Sequence, residues 1–323
     1  MTIPQLIHYT PEYVSFLKNL LNCEDETIWG HPGTENQTIL PLLTRDGPLG
    51  RVANSLPFFG SHGGPFGVDS LKLNKSELLF DLENRIRSEC YSSVTVVENP
   101  FSPLSDSEIS SLSFLQEVDS RVSQVTHWVK EDCPSDDSLM EMFHPKTRNA
   151  IRKGLKRCGD ITDSSGDSEV FDFLVQEHRL SIERLLGQPK ERFVFERLRT
   201  DLSDYFRIYA ARTNEGELVS ALLLLEFGET IEYFTPVIKY EYRESQILSA
   251  LIYTIMLQKF KDNFRYWNWG GTWKSQLGVY RFKNRFGATD REYRYFNWCD
   301  EKVSEASTSE LLNEYPYWFT RKF

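Results

Sequence analysis

The sequence predicts an α/β (α+β) chain of two similar domains, each a mixed, mostly antiparallel sheet flanked by helices. Three observations carry this. The 323 residues exceed one compact core of average size. Hydrophobic residues at 40% and charged residues at 26% fit a globular chain with a sizeable core. A run of strand, irregular loop, helix and strand occurs twice, as "VANSLPFF / GSHGGPFG / KSELLFDLENRIRSECY / SVTVVEN" and as "ETIEYFTPVIK / YEYRESQ / ILSALIYTIMLQKF / FRYWNW".

Taken in order, residues 1–22 read as an amphipathic helix, with Tyr13, Phe16, Leu17, Leu20 and Leu21 at helical spacing. Residues 38–59 read as strands turning at Asp46-Gly47, followed by the glycine-rich loop Gly60–Gly67. A helix over Lys75–Tyr91 carries the stripe Leu78, Leu79, Leu82 and Ile86, and the acidic stretch 99–111 reads as loop. "SLMEMFHPKTRNAIRKGLKRCG" is helical with a restart at Pro145, because proline is best tolerated in a first turn. "DITDSSGDSE" reads as a polar linker, and helices over Ser168–Leu186 and Lys190–Leu202 follow. An antiparallel meander turns at Asn214-Glu215-Gly216 and at Gly228-Glu229. The helix "QILSALIYTIMLQKF" is apolar nearly all round and therefore buried. The division expected from this pass is 1–137 and 138–323, with a basic junction helix at 146–157.

The formal charge of −10 opposes general nucleic-acid affinity, so DNA is not an expected partner. The charge is nonetheless segregated. Glu98 to Glu141 holds ten acids and two bases, and His144 to Arg157 holds six bases and no acid. Such a patch can form a local anion site, or it can be a solvated helix face. The five scattered cysteines include no CxxC pair, and the six histidines show no metal-ligand spacing, so no metal is expected. No apolar run suffices for a membrane span, and the N-terminus lacks a signal-peptide pattern; a cytoplasmic location is expected, with peripheral membrane association compatible.

Three separated pieces, "NSLPFFGSHGGPFG", "FHPKTRNAIRKGLKRCG" and "NWGGTWKSQLGVYRFKNRFGA", together resemble the FemAB-like transferases. These are duplicated GNAT-type folds that build amide bonds on cell-envelope precursors. The resemblance covers residues 40–298. It implies an N-acyltransferase acting on an amino group of a phosphate-bearing envelope-glycan precursor, an amino sugar or peptidoglycan-type molecule, in peptidoglycan or polysaccharide biosynthesis. The donor it implies is an acyl-CoA or an aminoacyl-tRNA, with no tightly bound cofactor. A GNAT fold usually cradles the coenzyme A pyrophosphate on a Q/R-x-x-G-x-G/A turn at a helix start. Here the turn reads Arg243-Glu244-Ser245-Gln246-Ile247-Leu248, so Arg243 fits while Gln246 and Leu248 stand where glycines are expected.

Amide formation needs a proton acceptor, oxyanion stabilisation and cations for any acceptor phosphate. Lys283 in "RFKNRFG" matches the family's functional lysine. Tyr280, at i, i+3 spacing from it, is expected to face the same pocket; the competing reading of Lys283 is a solvated surface lysine. Arg148 and Arg152, at i, i+4, are expected to clamp a phosphate together with Lys283. His178 is the best-placed histidine for proton transfer, with a structural role on its helix as the competing reading. Tyr233 matches a substrate-facing tyrosine of the family, with a core tyrosine as the competing reading. Ser61, Gly63 and Gly64 in the first-half loop, and Gln246, Gly271, Thr272, Trp273 and Gln276 in the second half, complete the expected substrate contacts, with Arg243 for the donor phosphates. Trp267 and Trp269 share one strand face and read as core, while Gly270 and Gly271 read as a functional bend. Two rival functions remain: an aminoacyl-tRNA-dependent transferase on a peptidoglycan precursor, and a non-catalytic sugar-nucleotide-binding module.

Overall fold

A computed structural model describes residues 4–30, 38–58, 62–67, 75–88, 91–112, 114–128, 136–272 and 276–322. Ser61 and Trp273, both expected at the site, lie outside the described residues. The chain forms two compact units: Met1–Ser123 with Arg291–Phe323, and Gln124–Asp290. This differs from a division at 137/138, and strand pairing explains why. Tyr295–Cys299 pair antiparallel with Ser93–Val97, and the Asn297 amide donates to the Val94 and Thr320 carbonyls, so the C-terminal residues complete the first unit's sheet. The expected junction helix is Pro145–Leu155, wholly inside the second unit.

In the first unit a hairpin pairs Leu43–Gly47 with Gly50–Asn54. Gly50–Asn54 then runs parallel to Tyr91–Val97 across the helix Lys75–Ser88, which buries Leu78, Leu79 and Leu82 as the periodicity predicts. The 99–111 stretch is not all loop. Ser105 and Glu108 form a reciprocal capping box that starts a short helix, Asp106–Ser111. Residues 62–67 of the glycine loop are buried. A Cβ on Gly63 would collide with the Ser55 carbonyl, and one on Gly64 would stand 2.8 Å from the Asn99 nitrogen. These glycines are required by close approach of the chain to itself.

The second unit opens with the end of the strand Gln116–His127, and helix α1 (Asp136–Met142) and helix α2 (Pro145–Leu155) follow among the described residues. Pro145 separates them as expected, and the His144 side chain caps α2 by accepting from the Lys146 N–H. The expected polar linker is an edge strand, β1 (Cys158–Asp163), because its backbone pairs with β2 (Phe206–Thr213) although its side chains are mostly polar. Between them lie α3 (Ser168–Glu183), capped by Asp167, and α4 (Arg192–Asp201). β2, β3 (Leu218–Phe227) and β4 (Thr230–Ile238) form the expected antiparallel meander. α5 (Ile247–Lys261) then returns the chain to β5 (Tyr266–Thr272), which pairs parallel with β4, and α6 (Leu277–Asn284) follows. Strand, helix and parallel strand thus recur in both units, as the duplicated pattern predicts.

α5 is buried over most of its surface, in a core with Phe143, Ile151, Leu222, Leu224, Trp267, Trp269 and Phe286, with only Gln258 and Lys261 exposed near its C-terminal end. Each such side chain removed from water is worth about 1.5–3 kcal/mol. Gly154 lets α2 lie against α5, since a Cβ there would collide with the Gln246 carbonyl. Among the described residues, no helix is long and apolar enough to cross a membrane.

Candidate active site

The Gly-Gly bend is held from inside. Gly270 takes φ +71, where a side chain would be strained, and its N–H donates to the Asn268 Oδ1 at 3.0 Å. Lys283, 6% exposed, donates to Thr272 Oγ1 at 2.9 Å and to the Gly270 and Gly271 carbonyls at 3.3 and 3.4 Å. An ammonium group has three hydrogens, so these contacts use its full donor capacity. Burial lowers its pKa to about 8. Lys283 is therefore a buried strut under the bend and not a solvated surface lysine. Trp267 and Trp269 are core, with Trp269 Nε1 donating to Thr126 Oγ1.

The bend ends a ladder. β4 and β5 pair from Thr230↔Tyr266 to Glu232↔Asn268 and no further, although β4 continues to Ile238 and β5 to Thr272. β4 is also bulged, because Leu223 pairs with Thr235 while Leu224 pairs with Tyr233, leaving Phe234 as the extra residue. At the last rung sits a carboxyl that sequence reading missed. Glu232 is buried and accepts from Asn268 Nδ2 at 2.8 Å. Burial raises its pKa to about 8, with the Asn268 hydrogen bond opposing. The available signal was an acid placed between Ile231 and Tyr233 in an apolar strand.

A pocket of about 320 Å³ opens at the start of α5. Phe282, Phe286 and Ala150 supply its apolar wall, Thr147, Gln246 and Ser249 its polar groups, and Lys146 and Arg285 its cations. No acid lines it. Gln246 stands at φ 66, a left-handed conformation that glycine normally supplies, and Ser245 Oγ accepts from the Ile247 N–H to cap the helix. The turn keeps a glycine-like backbone although Gln246 stands where a glycine is expected. α5 directs the positive end of its dipole toward this pocket.

The remaining expected residues are dispersed. Arg148 donates to the Phe143 carbonyl at 3.1 Å and Arg152 is exposed; neither lines the pocket. The expected clamp with Lys283 is not assembled, because the face of α2 toward the pocket carries Lys146 and Ala150. The Tyr280 hydroxyl donates to Asp290 at 2.7 Å and does not share the surroundings of Lys283. Gln276 is exposed before α6, and Arg243 is exposed with its guanidinium over the Tyr240 ring. Tyr233 is half-buried against Trp267 and Trp269. His178 is buried against Phe195, and its Nε2 accepts from the Lys190 N–H at 3.1 Å. Burial and then Lys190 lower its pKa to about 4, so it is a neutral acceptor fixing the α3–α4 connection. Gly63 and Gly64 lie in the first unit's interior.

Residues 145–284 match the family described as an acetyltransferase (GNAT) domain. The matched segment lies within the second unit. Over nearly its whole length the chain is FemAB-like in fold. It superposes on FemX with a TM-score of 0.70 at 15% identity, covering 95% of this chain and 94% of that one. The C-terminal DUF2156 domain of a candidate lysylphosphatidylglycerol synthetase from Agrobacterium fabrum gives 0.57 at 10% identity, covering 95% and 94%. L-PGS from Bacillus licheniformis gives 0.54 at 11% identity, covering 94% and 95%. No curated protein matches the chain by sequence.

Proposed function

We propose that the protein is an N-acyltransferase that forms an amide on an amino group of a phosphate-bearing envelope-glycan precursor. The observation that carries this reading is the pocket at the start of α5, lined by Lys146 and Arg285 and by no acid among the described residues, most of whose lining falls in the segment that matches a GNAT domain, with Arg285 and Phe286 just past its end. The donor's phosphates sit between these cations and the helix start, whether they belong to an acyl-CoA or to the 3′ end of an aminoacyl-tRNA. The FemX-like fold and the FemAB-like resemblance favour an amino sugar or peptidoglycan-type precursor as acceptor.

In this reading the acceptor nitrogen attacks the acyl carbonyl carbon, forming the C–N bond. The C–S bond of a thioester, or the C–O bond of an aminoacyl ester, breaks. The amine proton passes to a base and from there to the departing thiolate or alkoxide; Glu232, buried at the last rung of the β4–β5 ladder, is the candidate for that base. A carboxyl poised near 8 suits a base that must hold and release a proton near neutrality. Lys283 keeps the bend beside it in shape.

The test is mass spectrometry of purified protein incubated with acyl-CoA or aminoacyl-tRNA and a UDP-linked amino sugar or peptidoglycan precursor. The expected result is an acceptor heavier by one acyl group, stable to hydroxylamine as an amide is. Ligand retention without any mass increment would point to a binding module and sink the proposal.

A further inference from the structure

The α3–α4 connection breaks a local rule. α3 ends in a Schellman turn, in which the Gly187 N–H donates to the Ile182 carbonyl and the Leu186 N–H to the Glu183 carbonyl. The left-handed position that usually takes glycine holds Leu186 at φ 56, and glycine stands one place later. Leu186 is 96% exposed and Leu185 71%, so no packing offsets the unfavourable backbone. Two leucines are presented to solvent against local preference.

Their surroundings are cationic. Tyr240, itself exposed, lies under Arg184 at 4.9 Å and under Arg243 at 5.4 Å. Arg157 donates to the Glu244 carbonyl on the same turn, which joins this patch to the end of α2 and its exposed Arg152, Lys153 and Lys156. Among the described residues Arg152, Lys153, Lys156, Arg157, Arg184 and Arg243 form no ion pair, and the acids near them include Glu177, Glu241 and Glu244. A chain of net charge −10 thus gathers unpaired cations around an apolar tip and a tyrosine.

We propose that this surface of the second unit docks on an anionic lipid surface, with Leu185 and Leu186 entering the interface and the cations meeting the headgroups. Adjacent leucines, an interfacial tyrosine and loose basic side chains are the chemistry such a surface recognises. RNA would also draw the cations, but the leucines offer it neither hydrogen bonds nor an aromatic face. The inference is independent of the reaction proposed above, since no donor or acceptor is needed for docking.

The test is co-sedimentation of the full chain with vesicles of equal parts phosphatidylglycerol and phosphatidylcholine, against vesicles of phosphatidylcholine alone. Binding is expected only to the anionic vesicles. The pair Leu185→Ser with Leu186→Asn, which suits the left-handed turn, should weaken it about tenfold. Arg152→Ala with Lys153→Ala should weaken it about fivefold per cation. All variants should melt at or slightly above the wild-type temperature and keep product formation without vesicles, which separates this test from that of the reaction. Three results each overturn the proposal: no binding to anionic vesicles, wild-type binding by the leucine variant, or tRNA binding that the cation variant abolishes while vesicle binding is untouched.

Discussion

The Nζ of Lys283 lies 2.9 Å from the Oγ1 of Thr272 and within 3.4 Å of two glycine carbonyls, so one buried ammonium fixes three consecutive residues of β5. Lys283→Ala leaves the buried Thr272 hydroxyl and two partly buried glycine carbonyls without their donor and empties a buried side-chain site, at a cost of about 2–4 kcal/mol. The melting temperature should drop by about 5–10 °C, with loss of activity. Differential scanning fluorimetry checks this, and an unchanged melting temperature would identify a solvated lysine.

Glu232 makes stability fall as pH rises. Its folded pKa is raised from 4.5 to about 8, chiefly by burial, so its contribution is full below 4.5 and is lost as pH climbs through about 8. In that window the native state holds the extra proton, a slope on the order of 1.4 kcal/mol per pH unit. Glu232→Gln cannot titrate, so it should gain on the wild type by about 3–5 °C per unit across this range. Its activity should be lower by about 10²–10⁴-fold, and the wild-type rate should rise with pH up to about 8. A flat difference in melting temperature across the window would rule out the titration.

Repetition and periodicity made the architecture legible. The doubled strand–helix–strand pattern, the all-round apolar helix at Ile247–Lys261 and the tryptophan strand are as expected, because each depends on local spacing. The site was legible only where backbone chemistry leads, as at the Gly270 bend. On α2 the i, i+4 rule offers two basic stripes, Lys146/Ala150 and Arg148/Arg152, and charge alone does not choose between them. Tertiary packing does, through Gly154 and Gln246. Glu232 escaped notice because a strand in a sheet covered on both faces can bury an acid that looks solvent-facing in alternation.

Gln246 holds a left-handed backbone at φ 66. Gln246→Gly relieves strain of about 1 kcal/mol and adds a similar entropy cost, so stability should stay within about 0.5 kcal/mol. Gln246→Ile, β-branched, should lose about 1–2 kcal/mol. Urea midpoints compare the two. Equal loss in both variants would mean that the side chain, and not the backbone, matters at this turn.

His8 and His62 stack at 4.3 Å in the first unit's interior. Burial lowers the His8 pKa from 6.5 to about 3, and burial followed by His8 lowers that of His62. Their stabilising contribution is full above 6.5 and is lost as pH falls toward about 3, up to about 1.4 kcal/mol per unit for each ring. His8→Phe keeps an aromatic face and removes one titration, so it should resist acid better than the wild type. Urea unfolding at neutral and mildly acidic pH measures this, and parallel pH dependence in both proteins would refute it.

The pocket sets a contrast between neighbouring cations on one helix. Lys146 and Arg285 line it, while Arg148 is hydrogen-bonded to the Phe143 carbonyl and Arg152 faces solvent. A charge-assisted contact to phosphate is worth about 1.5–3 kcal/mol, so Lys146→Ala or Arg285→Ala should each weaken donor binding about tenfold or more. Arg152→Ala should leave it unchanged. Arg148→Ala should lose about 1 kcal/mol of stability with the carbonyl contact and leave donor affinity alone. Isothermal titration with acyl-CoA and with aminoacyl-tRNA on all four variants separates the stripes. Donor binding that depends on Arg148 and Arg152 but not on Lys146 and Arg285 would move the phosphate site to the other face of the helix, because residues 146 and 148 are about 200° apart around its axis.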